Sequence, residues 1–314
     1  MGVGAQALIV TNELDLGADF VVREFGRRGV EVLRCNTERL PEWSVEMCPG
    51  AAWRLVDPFG RLCESETVRG VWWRRPRLPE PDGDRSSSPW ASAMAEQWQA
   101  FMEALESVPG PKWLSAPSAI RRAEDKALQL AEAQKVGLRV PATLITNSLS
   151  EARSFVAARG AAVSKSVTAA FWEHGGNASF VYAQRVVAAE LPDAQNAFGA
   201  APIVLQELIE PKRDVRVTVV GERVLAAILE STSVVDWRLE PERVWRSYEL
   251  PDRLERKCVA LVRRLGLRFS GIDLLRDDQE RLWFLEVNPN GEWGWLEKRA
   301  GLRIAEAIVE ELLS

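Results

Sequence analysis

The sequence predicts an α/β protein assembled from α+β lobes, and three observations carry that expectation. The chain opens β-α-β: Ala7–Val10 is a short apolar run, Ala18–Arg28 carries apolar residues at 18, 21, 22 and 25 before Gly29, and Val30–Arg34 reads as a second strand. That alternation belongs to a parallel sheet. Later, Asp214–Ile228 reads as a hairpin turning at Gly221-Glu222. Near the end, Phe269–Leu275 and Arg281–Leu285 read as two strands joined through Asp277–Glu280.

Length and composition bound the function. With 314 residues, 46% hydrophobic and 27% charged, the chain has the make-up of an ordinary globular protein with room for two or three lobes. A net charge of −5 argues against a nucleic-acid footprint, and no window is long and apolar enough to span a membrane. Met1–Gln6 has no basic, apolar leader, so no signal peptide is expected. Cys35, Cys48, Cys63 and Cys258 lack metal-ligand spacing and read as reduced thiols of a cytoplasmic protein. The 13 tryptophans are scattered and suit core or pocket walls.

In chain order, Gly2 and Gly4 precede the first strand, whereas a dinucleotide-binding loop must follow it, so a Rossmann site is discarded. Ala51–Val56 and Arg61–Glu66 flank Asp57-Pro58-Phe59-Gly60 as a hairpin. Val68–Trp73 is a strand ending in Arg74-Arg75-Pro76, where two arginines suit either a surface edge or an anion contact. Pro79–Pro89 is a loop rich in Pro, Ser, Asp and Gly, Trp90–Val108 a helix and Lys112–Leu114 a last strand of this first lobe. Pro117 opens a long helix, Ser118–Val136, with Lys126 in its middle. Val140–Thr146 is a strand and Ser150–Arg159 a helix. Ala161–Val167 is a strand bearing Lys165, a pattern that also suits a solvated lysine. Thr168–Asn177 reads as a loop with Gly175-Gly176, and His174, the one histidine, supports no triad. Ile203–Ile209 is a buried strand, Pro251–Leu265 an amphipathic helix and Gly301–Leu313 the closing helix.

The candidate chemistry gathers at the late hairpin. Glu286 and Asn288 are two apart on a strand and so share a face. Pairing Arg276 with Arg281 puts Asp273 opposite Phe284 and diagonal to Glu286, at about 7 Å. Oxygen donors so placed suit magnesium, and a hairpin with a solvated polar face has the same pattern. Two lysines, Lys126 and Lys165, and two arginines each two residues from an aspartate (Asp214-Val215-Arg216 and Asp236-Trp237-Arg238) complete a set fitted to a phosphate-rich ligand with a divalent cation. No nucleophile has a paired base, so phosphoryl transfer by positioning and charge neutralisation fits better than covalent catalysis.

The order of these motifs resembles an ATP-grasp ligase: a helix with Lys126, a strand with Lys165, Gln206-Glu207-Leu208-Ile209, Asp214-Val215-Arg216, Gly271-Ile272-Asp273 and Glu286-Val287-Asn288-Pro289. The hairpin Val219–Ile228 is similar to the ribosomal-protein S6 glutamate-ligase branch. More narrowly, Val71–Pro76, Val140–Asn147, Asp236-Trp237-Arg238 and Asn288–Glu297 resemble the peptide-maturing graspetide, or microviridin-type, synthetases nearly end to end. The chain departs from that pattern with Glu292 where Gln is usual, which adds charge near the metal, and with Lys165-Ser166 where Lys-Pro is usual.

The resemblance implies an ATP-grasp fold with an N-terminal pre-ATP-grasp domain at 1–115, a central lobe at 116–200 and a C-terminal lobe with the metal site at 201–314. It implies ATP and Mg2+ as cofactors. Lys126 and Lys165 would hold the α/β-phosphates, Gln206, Glu207 and Ile209 would meet adenine, Asp214 the ribose, Arg216 the γ-phosphate, and Asp273, Glu286 and Asn288 the magnesium. Arg238, and Arg74 with it, would hold the incoming acidic side chain. The implied partner is a ribosomally made precursor peptide, with no nucleic acid and no membrane, and with a homodimer expected by analogy. The loop Thr168–Asn177 and the region Tyr182–Ala201 are where a leader peptide would dock. Competing expectations are a ligase of the S6-glutamate or glutathione-synthetase kind, which joins amino acids to a peptide or small molecule, and a nucleotide-binding module without catalysis.

Overall fold

The computed structural model describes residues 4–79, 89–168, 171–174, 177–230, 234–240 and 243–314. The loop expected at Pro79–Pro89 and the Gly175-Gly176 pair lie almost wholly outside the described residues. The N-terminal lobe begins with β1 (Ala7–Thr11), α1 (Leu16–Arg27) and β2 (Val32–Asn36). A small antiparallel sheet follows, β3 (Ser44–Cys48), β4 (Ala52–Val56) and β5 (Leu62–Glu64), of which the sequence signalled the second and third strands only. Next come β6 (Gly70–Trp73), α2 (Pro89–Ala104) and β7 (Lys112–Trp113). The main sheet is parallel in the order β2-β1-β6-β7. β1 is buried along its whole length because alternate residues enter different cores: Leu8 and Val10 one, Ala7 and Ile9 the other.

The helix expected over 118–136 is two helices, α3 (Pro117–Ala123) and α4 (Lys126–Lys135). The side chain of Asp125 breaks it by accepting the Leu128 N–H as an N-cap. Lys126 therefore stands at the first turn of α4 and not mid-helix. The central lobe adds β8 (Thr143–Thr146), α5 (Leu149–Ala157), β9 (Ala162–Ser166), β10 (Phe171–His174), β11 (Asn177–Phe180), β12 (Gln184–Val186), α6 (Gln195–Phe198) and β13 (Ile203–Glu207). Where the sequence suggested a loop at 168–177, β10 and β11 pair as an antiparallel ribbon. β13 lies between β9 and β8 in a four-stranded sheet, so that sheet runs past the boundary expected at residue 200.

The C-terminal lobe comprises β14 (Lys212–Val220), β15 (Arg223–Leu229), β16 (Trp245–Tyr248), α7 (Asp252–Arg264), β17 (Phe269–Asp277), β18 (Leu282–Asn288), α8 (Gly294–Ala300) and α9 (Ile304–Leu313). Its sheet is antiparallel, ordered β16-β15-β14-β17-β18, and α7 packs its buried Cys258, Val259, Leu261 and Val262 beneath it. α9 crosses back to lie on α1 and β6, burying Ile304, Ile308, Val309 and Leu312 with Ile9, Phe25 and Trp72. Among the described residues no helix is long and apolar enough to cross a membrane. All four cysteines are free thiols; Cys35, Cys63 and Cys258 are buried.

Candidate functional site

The register of the late hairpin differs from the expected one. Arg276 faces Leu282, not Arg281, and a bulge then leaves Leu285 without a partner on β17. Asp273 therefore sits directly opposite Glu286, not diagonal to it, and Gly271 opposite Asn288. The physical reason is the core's demand for Phe284. Strict alternation would put Phe284 on the face of Glu286 and Asn288. The extra residue at the bulge resets the alternation, so Phe284 and Val287 both enter the core while Glu286 and Asn288 line the cleft.

On the other side of β17, Arg216 is the register partner of Asp273, so Arg216, Asp273 and Glu286 form a row across three adjacent strands. Arg216 Nη1 donates to Asp273 Oδ1 at 2.6 Å, in a buried pair. The guanidinium occupies a slot walled by two glycines: a Cβ at Gly271 or Gly291 would come within 2.5 Å of Arg216 Nη2. Its buried Nε has no hydrogen-bond partner among the described residues.

This row lines a cleft of about 1050 Å³ between the central and C-terminal sheets. The cleft also holds Lys126, Lys165, Gln206, Glu207, Ile209, Asp214, Asn288 and Arg238, so every candidate residue except Arg74 lines it. Lys126 Nζ donates to the carbonyls of Ser166 and Thr168 at 2.8 and 3.2 Å. Lys165 Nζ donates to Gln206 Oε1 at 2.9 Å. Burial lowers the Lys165 pKa from its usual value, Lys126 adds to that, and Glu286, Asp273 and Asp236 oppose it. Glu207 lies at the junction with β8, where Oε2 accepts the Ala142 N–H at 3.1 Å. Asp214 pairs with Lys212 at 2.5 Å, while burial raises its pKa.

Arg238 projects from a short turn held by Asp236, whose Oδ1 accepts from both the Arg238 backbone N–H and Nη1. Burial works against the Arg238 cation, yet Asp273, Asp236 and Glu286 together hold its pKa above the ordinary value. Beside it Trp237, Trp245 and Trp295 pack edge-to-face and tilted, with centroids 5.0–5.4 Å apart, and form one wall. Arg74 stands elsewhere. Its side chain is 0% exposed and donates to the Asn290 and Gly291 carbonyls at 2.6 and 3.0 Å, so it holds the turn after Asn288; the arginine that reaches the cleft is Arg75. The sequence also left Lys212 and Gln129 unread. A lysine in a Pro-Lys-Arg-Asp stretch looks solvated, and a glutamine inside a helix carries no signal of burial.

Residues 123–312 match the RimK-like ATP-grasp domain family. The chain belongs to that family. Across the solved structures, this RimK-like ATP-grasp chain is similar over its whole length to macrocyclase MdnC of Microcystis aeruginosa MRC, bound with precursor peptide MdnA: 27% identity, TM-score 0.84, covering 98% of this chain and 99% of that one. It is equally similar to a Chryseobacterium gregarium RiPP-associated ATP-grasp ligase in complex with ADP and a leader and core peptide: 27% identity, TM-score 0.86, covering 98% and 96%. A probable alpha-L-glutamate ligase of Enterobacter sp. strain 638 is 30% identical over 200 residues, 62% of this chain and 65% of that protein, so the match spans just under two thirds of the relative.

The donor set fits the group such a fold implies. Among the described residues no three His, Cys, Asp or Glu side chains cluster as a closed metal cage. The cleft instead offers two carboxylates and an amide, Asp273, Glu286 and Asn288, on neighbouring strands. Magnesium is held in this way, by one or two carboxylates with substrate phosphates and water completing the octahedron. The spare buried donor of Arg216 suits a phosphate oxygen.

Proposed function

We propose that this ATP-grasp chain is an ATP- and magnesium-dependent ligase that closes rings in a ribosomally made precursor peptide. A side-chain carboxylate oxygen of Asp or Glu attacks the γ-phosphorus and ADP leaves, forming an acyl phosphate. A Thr or Ser hydroxyl, or a Lys amine, then attacks the acyl carbon and inorganic phosphate leaves, giving an ester or amide. The peptide loses one water per ring. Nucleotide lies between a central lobe that starts at 116 and includes β13, and a C-terminal lobe that follows β13 and runs to 314, with residues 1–115 as the pre-ATP-grasp domain. Lys126 and Lys165 hold the α/β-phosphates, and Gln206, Glu207 and Ile209 receive adenine. Asp214 meets the ribose, and Arg216 neutralises the γ-phosphate. Asp273, Glu286 and Asn288 hold the magnesium, which shields the charge of the transferring phosphoryl group. Arg238 forks onto the incoming carboxylate beside the tryptophan wall.

One observation carries this reading over its rival. The family match covers residues 123–312 and the Enterobacter relative matches over 200 residues, whereas the likeness to the two peptide-bound enzymes covers 98% of the chain and so takes in the N-terminal lobe. The rival, transfer of free glutamate, draws support from the names of the curated relatives. The test is incubation with ATP, magnesium and a short acidic, Thr- or Ser-rich peptide encoded beside the gene. The expected product lacks one water per ring and forms with stoichiometric ADP. An unchanged peptide together with glutamate-dependent ADP release would establish the rival. Arg238→Ala is expected to lose peptide turnover while keeping ADP binding; normal turnover would remove the role given to Arg238.

A further inference from the structure

β18 carries two of the three magnesium ligands yet is the outer strand of its sheet. An outer strand turns unpaired backbone N–H and C=O groups away from its neighbour, and buried ones must find partners. At Val287, between Glu286 and Asn288, a single side chain meets both. The Val287 N–H donates to Gln129 Oε1 at 2.8 Å, and Gln129 Nε2 donates to the Val287 carbonyl at 2.8 Å. Nε2 also donates to the Ala123 carbonyl at 2.6 Å, where α3 ends. Gln129 is 2% exposed and lies one turn after Lys126, on the same side of α4. One carboxamide thus does the pairing of an absent strand, and it ties the helix bearing Lys126 to the strand bearing the ligands.

We infer that Gln129 is a positioning residue for the magnesium site: by holding the Val287 peptide it sets the directions of Glu286 and Asn288. The inference rests on the nucleotide and magnesium part of the proposed function and needs nothing from the peptide. An apolar side chain of equal volume fills the same space but leaves both Val287 groups buried and unpaired, which loosens the strand between the two ligands. Supporting groups of this kind are worth about 10- to 100-fold in metal affinity.

The test compares Gln129→Met with Leu55→Ala, which removes a buried side chain of β4 that does not line the cleft. ADP binding is measured by calorimetry across a magnesium titration, and amide exchange is followed over residues 284–290 without ligand. For Gln129→Met the magnesium needed for half-maximal ADP binding rises about tenfold or more. ADP binding without magnesium changes less than about twofold. Exchange at Val287 accelerates. Leu55→Ala lowers the melting temperature and leaves the magnesium dependence where it was. If Gln129→Met melts earlier but keeps the wild-type magnesium dependence, its role is structural and the inference fails alone. If the wild-type protein binds ADP with no dependence on magnesium, the cofactor reading fails and takes this inference with it.

Discussion

The Arg216 guanidinium shows how little freedom the site leaves a single side chain. It is gripped by Asp273 and bounded by Gly271 and Gly291, and a methyl group on either glycine would sit 2.5 Å from Nη2. Gly271→Ala is therefore expected to displace the guanidinium by about an ångström, a misplacement that costs on the order of 100-fold in turnover. Steady-state ADP release checks this, and wild-type turnover in that variant would remove the role proposed for Arg216 at the γ-phosphate. Lys165 makes a pH prediction. Its pKa lies below 10.5 because burial disfavours the ammonium. Raising the pH toward that lowered pKa discharges it, so nucleotide affinity falls earlier on the alkaline side than for a free lysine. Lys165→Arg stays charged and flattens the profile; a profile that falls identically in both proteins would assign the titration to another group.

At the scale of the element, the β17–β18 hairpin is held in register by its turn. Asp277 Oδ1 accepts the Gln279 and Arg281 N–H groups, and Oδ2 accepts from Arg281 Nε at 2.6 Å and Trp283 Nε1 at 2.8 Å. Burial alone would raise its pKa, but these donors outweigh it and bring the carboxyl from 3.8 down to about 2. Asp277→Ala is expected to cost about 1–3 kcal/mol in urea unfolding, since it strands several donors. The sign follows from linkage: a carboxyl depressed in the folded state stabilises above its unfolded pKa and loses that contribution as pH falls through its folded pKa. The stability gap between wild type and variant should thus be full above about pH 4 and close toward pH 2. A gap independent of pH would mean that the aspartate acts through packing. Much of this element was legible, since an apolar run, a polar turn and Glu-x-Asn mark a hairpin with one polar face. The bulge was not, because it answers to where the core needs Phe284, which lies outside the strand's own sequence.

At the scale of the molecule, Arg74 is the tie between the N-terminal lobe and the cleft. Sitting beyond β6, it is wholly buried between Asp15 of that lobe and Glu292 beyond Asn288, at 3.5 and 3.2 Å. Burial first, then Arg75 and Arg216, lower its pKa to about 10, against the pull of Glu292 and Asp15. Removing one partner of a buried charge network leaves the others uncompensated, so Arg74→Ala is expected to destabilise by about 3–5 kcal/mol in urea unfolding. Arg74→Lys should recover little, because one ammonium cannot span the Asn290 and Gly291 carbonyls as a guanidinium does. Near-complete recovery by lysine would reduce the tie to charge alone. Glu292, where the resemblance to graspetide synthetases leads one to expect glutamine, is the carboxylate these arginines meet, since Arg75 pairs with it as well.

By itself the sequence determined the α/β class and the hairpins β4–β5, β14–β15 and β17–β18, because apolar period and turn chemistry are local properties, and the order of its motifs picked out the cations and carboxylates that line the cleft. Only the tertiary structure decided that Asp273 faces Glu286 directly, that Lys126 opens a second helix, that Arg75 and not Arg74 reaches the cleft, and that Gln129 stands in for a strand beside Val287. Each of those depends on burial and on which distant backbone groups still need a partner, and that demand is set by the assembled sheets and not by any stretch of chain alone.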